Sequence, residues 1–114
     1  MPSEIVGARE VEIETRAGGR SYRTIIWVVA DAEDVFVRSV RGDAGKWYQR
    51  ALSNPEVDLV LGDQRSTFVA VPAPDDESVG RASAGFIQKY PPSRSVEAMI
   101  QADVLHTTMR LDPV

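Results

Sequence analysis

Two short basic stretches hold the residues best suited to chemistry. Residues 16–23 carry Arg16, Arg20 and Arg23, and residues 38–50 carry Arg38, Arg41, Lys46 and Arg50. Asp43 is the one acid set against them. The second stretch also has Gly42 and Gly45, just before a helix predicted to begin near Lys46. A helix start presents unpaired N–H groups and a partial positive charge, so anions settle there. Glycine lets a backbone approach a ligand closely, and arginine grips a phosphate through two parallel bonds. The chemistry implied is the holding of a phosphate or carboxylate on a cofactor. A second reading stands beside it: the arginines solvate the surface or pair with Glu10, Glu12 and Glu14.

Other reactive types offer less. Trp47 and Tyr48 can stack on a flat ring, but at helical spacing aromatic residues ordinarily belong to a core. His106 is the sole histidine and reads as a surface or interface residue. With no cysteine, the chain has no disulfide, thiolate metal site or cysteine nucleophile, and a zinc site is not expected. Ser39, Ser83 and Ser95 lack a nucleophile-elbow sequence. No phosphate-binding glycine motif of the Rossmann or P-loop kind occurs. Asp75-Asp76 reads as a helix cap.

The elements that must position these residues follow from periodicity. Val11–Thr15 alternates as a half-buried strand. After a turn at Ala17–Arg20, the stretch 23–31 is apolar on both faces, with Ile26 and Val28 on one and Ile25, Trp27 and Val29 on the other. Such a strand is covered on both sides, by the core and by a helix or a second subunit. Val35–Val40 is a third strand. If the second and third strands pair, Arg20 and Arg23 join the basic corner. A short helix follows, with Trp47, Tyr48, Ala51 and Leu52 on its apolar side, and Asn54-Pro55 stops it. Val57–Leu61 and Ser66–Val71 form a hairpin about Gly62-Asp63-Gln64. A helix capped near Asp75 buries Val79, Ala82, Phe86, Ile87 and Tyr90 and ends at Pro91-Pro92. A short helix is predicted around Val96–Gln101 and a last strand over Val104–Leu111. That strand places Leu105, Met109 and Leu111 on one face and His106, Thr108 and Arg110 on the other. The pattern is mainly β with flanking helices, six strands in a small antiparallel barrel.

With 114 residues the chain suits one domain, 1–114, large enough to bury about two-thirds of its unfolded surface. A net charge of −4 argues against a nucleic-acid binder. The opening MPSEIVGARE lacks the basic and apolar regions of a secretory signal. The longest apolar run, Ile25–Ala30, falls far short of the ~20 residues that span a bilayer. A soluble, cytoplasmic protein away from membranes is expected.

Several segments carry a resemblance. Ile26-Trp27-Val28-Val29, Val35–Ser39 with Gly42, Gly45-Lys46-Trp47-Tyr48, Lys89-Tyr90 and residues 107–113 together resemble the family called domain of unknown function 2255. The middle of the chain is also similar to the flavin and deazaflavin split barrels, in particular the deazaflavin-dependent nitroreductases. Gly19, Arg23 and Thr24 match the first part of that pattern, and Ser39, Gly42, Trp47, Tyr48, Asn54 and Pro55 the second. The loop before Trp47 is shorter here and lacks a proline, and Arg50 and Ala51 replace Asn and Leu.

The resemblance implies a six-stranded antiparallel split β-barrel binding FMN or a deazaflavin coenzyme, without metal. Taken with the basic corner, it assigns the phosphate to Arg38, Ser39, Arg41, Gly42 and Lys46, with Arg23 and Thr24 flanking the same ligand and Trp47 walling the site. It implies an oxidoreductase whose catalytic acid or base is unknown, or else a non-catalytic module for flavin, haem or another anion. Trp27 and its apolar neighbours suggest a homodimer in either case.

Overall fold

A computed structural model describes residues 3–114. Seven strands form one antiparallel sheet: β1 (Val11–Ala17), β2 (Arg20–Ile26), β3 (Val29–Ala30), β4 (Val35–Val37), β5 (Glu56–Leu61), β6 (Gln64–Pro72) and β7 (Met109–Pro113). Their order is β2-β1-β5-β6-β7-β4-β3. The two edge strands are β2 and β3, and only Trp27 and Val28 separate them in the chain. The sheet therefore curls until its edges approach, which makes a split barrel. Four helices flank it: α1 (Ser3–Gly7), α2 (Lys46–Ser53), α3 (Asp76–Lys89) and α4 (Arg94–Met99).

The expected second strand is two strands with a kink between them. Trp27 leaves the ladder to stack on Tyr90, at a ring separation of 3.8 Å. The carbonyl of Val28 accepts from Lys89 Nζ at 2.5 Å instead of from a neighbouring strand. As a result β2 pairs with β1, and only Val29–Ala30 pairs with β4. Arg20 and Arg23 are thus not brought to the β4 corner. Seven strands replace the expected six for this reason.

The barrel interior holds Val11, Ile13, Val28, Leu59, Phe68, Met109 and Leu111, closed by Trp47, Tyr48 and Ala51 from α2. Each such aliphatic or phenyl side chain contributes about 1.5–3 kcal/mol when fully buried. A second cluster outside the barrel joins Val29 and Phe36 to Ala82, Phe86 and Tyr90 of the α3 region and to Val96 and Met99 of α4. The two-sided cover predicted around Val28 and Val29 is thus core on one side and helix on the other. Gly85 permits the approach, since a Cβ there would stand 3.0 Å from Val29.

Three expectations on side chains fail. Leu52 and Ile87 are about half exposed, each lying at the margin of its helix's apolar stripe. The residues before Met109 form a 3₁₀ segment, Ala102–Thr107, rather than strand. Thr107 and Thr108 hydroxyls donate to the carbonyls of Val104 and Leu105, at 2.6 and 2.7 Å. Such local bonds compete with a ladder and hold the chain in turns. Thr108 is in consequence buried, not on an outer face with His106.

Candidate functional site

The passage from β4 to α2 is built around Arg38, which is 1% exposed. Alternation along the strand puts Val35 and Val37 in the barrel and sends Phe36 and Arg38 toward the helices. The Arg38 Nε donates to Thr108 Oγ1 at 2.9 Å. One Nη donates to Ser83 Oγ and to the Met99 carbonyl, and the other to the Val79 carbonyl. None of these partners is a carboxylate. Burial pulls this guanidinium down to about 10, which still leaves it charged at neutral pH. The group ties α3 and α4 to the barrel and leaves a buried positive charge without a counter-ion among its bonded partners.

Ser39 fixes the turn that follows. Its N–H donates to Thr107 Oγ1 and its hydroxyl donates to the Gly42 carbonyl, at 3.0 and 2.9 Å. Gly42 has a φ of +62°, a conformation that favours glycine. A Cβ on Gly45 would lie 2.2 Å from Ser39 Oγ. Both glycines therefore let the turn close on itself, which is a different reason from close approach to a ligand. Lys46 then opens α2, and the Gln49 side chain donates back to the Asp43 carbonyl.

Over this turn lies a cleft of about 730 Å³. Six of the eight sequence-marked residues line it: Thr24, Arg38, Ser39, Arg41, Lys46 and Trp47. Arg23 and Gly42 do not. Arg23 projects from the other face of β2, where it meets Glu14 at 3.0 Å and Glu12 at 3.7 Å. Successive strand residues point opposite ways, so Arg23 and its neighbour Thr24 cannot share the wall. Gly42 lies beneath the turn, against the Asp103 carbonyl.

The other basic residues divide sharply. Arg16 is bound to Asp58 at 3.1 Å, and Arg50 donates to Thr15 at 2.7 Å and covers the Tyr22 ring. Arg41 and Lys46 have no side-chain hydrogen bond or ion pair among the described residues. Trp47 belongs both to the core and to the cleft wall, whereas Tyr48 is core alone. His106 Nε2 sits 2.7 Å from Asp43 Oδ1, exposed and off the cleft.

Sequence reasoning missed the rest of the lining. Arg94, Ser95, Ala98 and Met99 come from α4, and Glu10, Ile25 and Trp27 complete the lining. Nothing local marks Arg94 for this place. The packing of Val96 and Met99 on Phe86 puts it there. Among the described residues no group of three or more His, Cys, Asp or Glu is placed to hold a metal ion. No helix among them is long and apolar enough to cross a membrane.

The profile of a bacterial protein family described as "Uncharacterized protein conserved in bacteria (DUF2255)" matches residues 3–111. The chain belongs to the DUF2255 family. No curated protein sequence matches this DUF2255 chain. Solved structures do share its fold. The haem storage protein HutZ from Vibrio cholerae is 18% identical, with a TM-score of 0.74 over 98% of this chain and 87% of its own. A NimC/NimA family protein from Clostridium acetobutylicum is 14% identical, with a TM-score of 0.65 over 94% and 73%. An F420 reductase is 16% identical, with a TM-score of 0.60 over 98% and 92%. The DUF2255 chain thus shares its split-barrel fold with these three proteins.

Proposed function

We propose that this one-domain DUF2255 protein holds FMN or a deazaflavin coenzyme in the cleft and serves as an oxidoreductase. The observation that carries the reading is the pairing of a mainly apolar, tryptophan-walled cleft with cations, Arg41 and Lys46 among them, that no side chain engages. Its volume lies inside the range of roughly 300–1,000 Å³ usual for cofactor pockets. Arg41 and Lys46 hold the phosphate, with the N–H groups at the start of α2 beside them. Ile26, Trp27 and Trp47 flank the ring system, and Thr24 closes the β2 side. Ser39 and Gly42 act beneath the surface by fixing the turn, and Arg23 takes no part. Arg38 places a positive charge at the cleft in a setting where water screens it poorly. Bound there, the cofactor would supply hydride transfer, and the chain's own work is to bind and orient it. The fold shared with an F420 reductase supports this choice.

A second reading is a module that stores or senses the same class of ligand. The fold shared with a haem storage protein favours it, as does a lining with Glu10 as its one carboxylate. In either reading we propose a homodimer in the cytoplasm. Ile25 and Val40 stand 65% and 50% exposed on the cleft wall, where a second copy would cover them.

The test is a parallel titration with FMN and the deazaflavin coenzyme, followed by tryptophan fluorescence. Micromolar binding of one of them is expected. Replacing Arg41 and Lys46 together by Ala should weaken it at least about tenfold while the melting temperature stays nearly constant. No binding of either at tens of micromolar would end the reading. Reduction of an added dye by the loaded protein separates the enzyme from the module.

A further inference from the structure

The positive charges of the cleft come from more than one element. Arg41 and Lys46 belong to the turn and to α2, which packs on the barrel. Arg94 belongs to α4, which packs on α3 in the outer cluster. Apolar side chains, among them Trp27 and Met99, line the same cleft, and the buried Arg38 contributes to its wall. Elsewhere most cations are tied down, although Arg9 and Arg20 also stand without a side-chain partner among the described residues. Arg16, Arg23, Arg65, Arg81 and Arg110 each meet a carboxylate. Arg50 bonds to a threonine, and Lys89 to two carbonyls. Arg94, like Arg41 and Lys46, has no such partner among the described residues. In the cleft four cations thus face one carboxylate, Glu10.

An apolar cleft with unneutralised positive charge from two separate elements selects for a particular kind of ligand. We infer that the cleft takes an apolar, planar body with two negatively charged groups, one on Arg41 and Lys46 and the other, a carboxylate or phosphate, on Arg94. This rests on the cleft being the ligand site and gives that site a second pole. The second anion is either the far end of the cofactor itself or an anionic substrate lying beside it.

The chain's two tryptophans, Trp27 and Trp47, both line the cleft, so intrinsic fluorescence reports on it directly. The probes are naphthalene-2,6-dicarboxylate and the longer biphenyl-4,4′-dicarboxylate, each measured against its monoacid. The wild-type protein should prefer the diacid about fivefold for at least one of the two lengths, as an exposed charge contact allows. Arg94→Gln should abolish that preference and leave monoacid binding within about twofold. Added salt should shrink the preference. Equal binding of monoacid and diacid at both lengths, or a preference that survives Arg94→Gln, overturns the inference.

This outcome is independent of flavin. A diacid preference without FMN or deazaflavin binding would sink the cofactor reading alone. Where a cofactor does bind, Arg94→Gln separates the two sources. Weaker binding of the deazaflavin coenzyme, whose tail carries carboxylates beyond its phosphate, with FMN unaffected, assigns the second pole to the cofactor. Unchanged cofactor binding, with KM raised for an anionic acceptor but not for a neutral one, assigns it to the substrate.

Discussion

Glu14 and Asp58 stand opposite one another on β1 and β5, and both are almost fully buried. Side by side, two carboxylates would repel. Arg65 bridges them at 2.7 and 2.5 Å, Arg23 adds a bond to Glu14, and Thr67 donates to Asp58 at 2.6 Å. Bonds from Arg65 and then Arg23 hold the Glu14 carboxyl below its ordinary 4.5. For Asp58 burial opposes ionisation, but the bonds from Thr67 and Arg65 outweigh it, so it too lies below its ordinary 3.8. Depressed carboxyls stabilise the fold fully above those ordinary values, and the contribution is lost as pH falls through the folded ones. The melting temperature should therefore stay flat from about pH 7 to 5 and fall below about pH 4.5. Arg65→Gln should lower the melting temperature at pH 7 and shrink the acid fall, because the folded carboxyls then lie nearer their ordinary values. Thermal melts by circular dichroism across pH 3–7 would check this, and an unmoved profile in the variant would count against the bridge. Arg38 follows the opposite scheme, a buried charge satisfied by hydroxyls and carbonyls alone. That contrast is why Arg38, and not the Glu14 network, bears on ligand charge.

At the scale of elements, the turn between β4 and α2 depends on the fit of Ser39 to Gly45. The φ of Gly45 is −63°, so alanine is acceptable to the backbone and only the contact forbids it. Gly45→Ala should lower stability by about 1–3 kcal/mol through overpacking. Ser39→Ala alone should cost about 1 kcal/mol for its bond to the Gly42 carbonyl. In the double variant the clash is relieved, so its loss should be smaller than the sum. Urea unfolding of the four proteins gives the coupling directly, and strict additivity would show that the contact is not the reason for glycine. Most elements were legible in the sequence because their signals are local. The Asp75 cap, whose carboxylate accepts from Ser78 N–H, and the Gly62 turn with φ +61° are of this kind. The kink at Trp27 was not legible, since it needs Tyr90 and Lys89, more than sixty residues away.

For the whole molecule, the feature that bears on assembly is the surface around the cleft. Ile25 and Val40 are exposed on its wall, which Arg41 and Lys46 also line. Two copies meeting there would bury apolar surface and exclude water from the cleft at once. Sedimentation should give twice the mass of one chain. Replacing Ile25 and Val40 by Glu should give a monomer with unchanged far-UV circular dichroism. A wild-type protein that sediments as a monomer at tens of micromolar would remove this proposal while leaving the cleft argument in place.

By itself the sequence determined the strands with regular alternation, the capped helix before Lys89-Tyr90 and the basic turn around Gly42. These depend on neighbours along the chain, and period, caps and glycines record such neighbours. Only the tertiary structure decided which cations are free. Arg23 and Arg41 look alike in the sequence, yet one meets Glu14 across a sheet while the other lines a cleft. Arg94 joins that cleft because α4 packs on α3, and Arg38 loses its water to the same packing. A charge's effect is set by its dielectric surroundings and by the nearest opposite charge, and residues distant in the chain supply both.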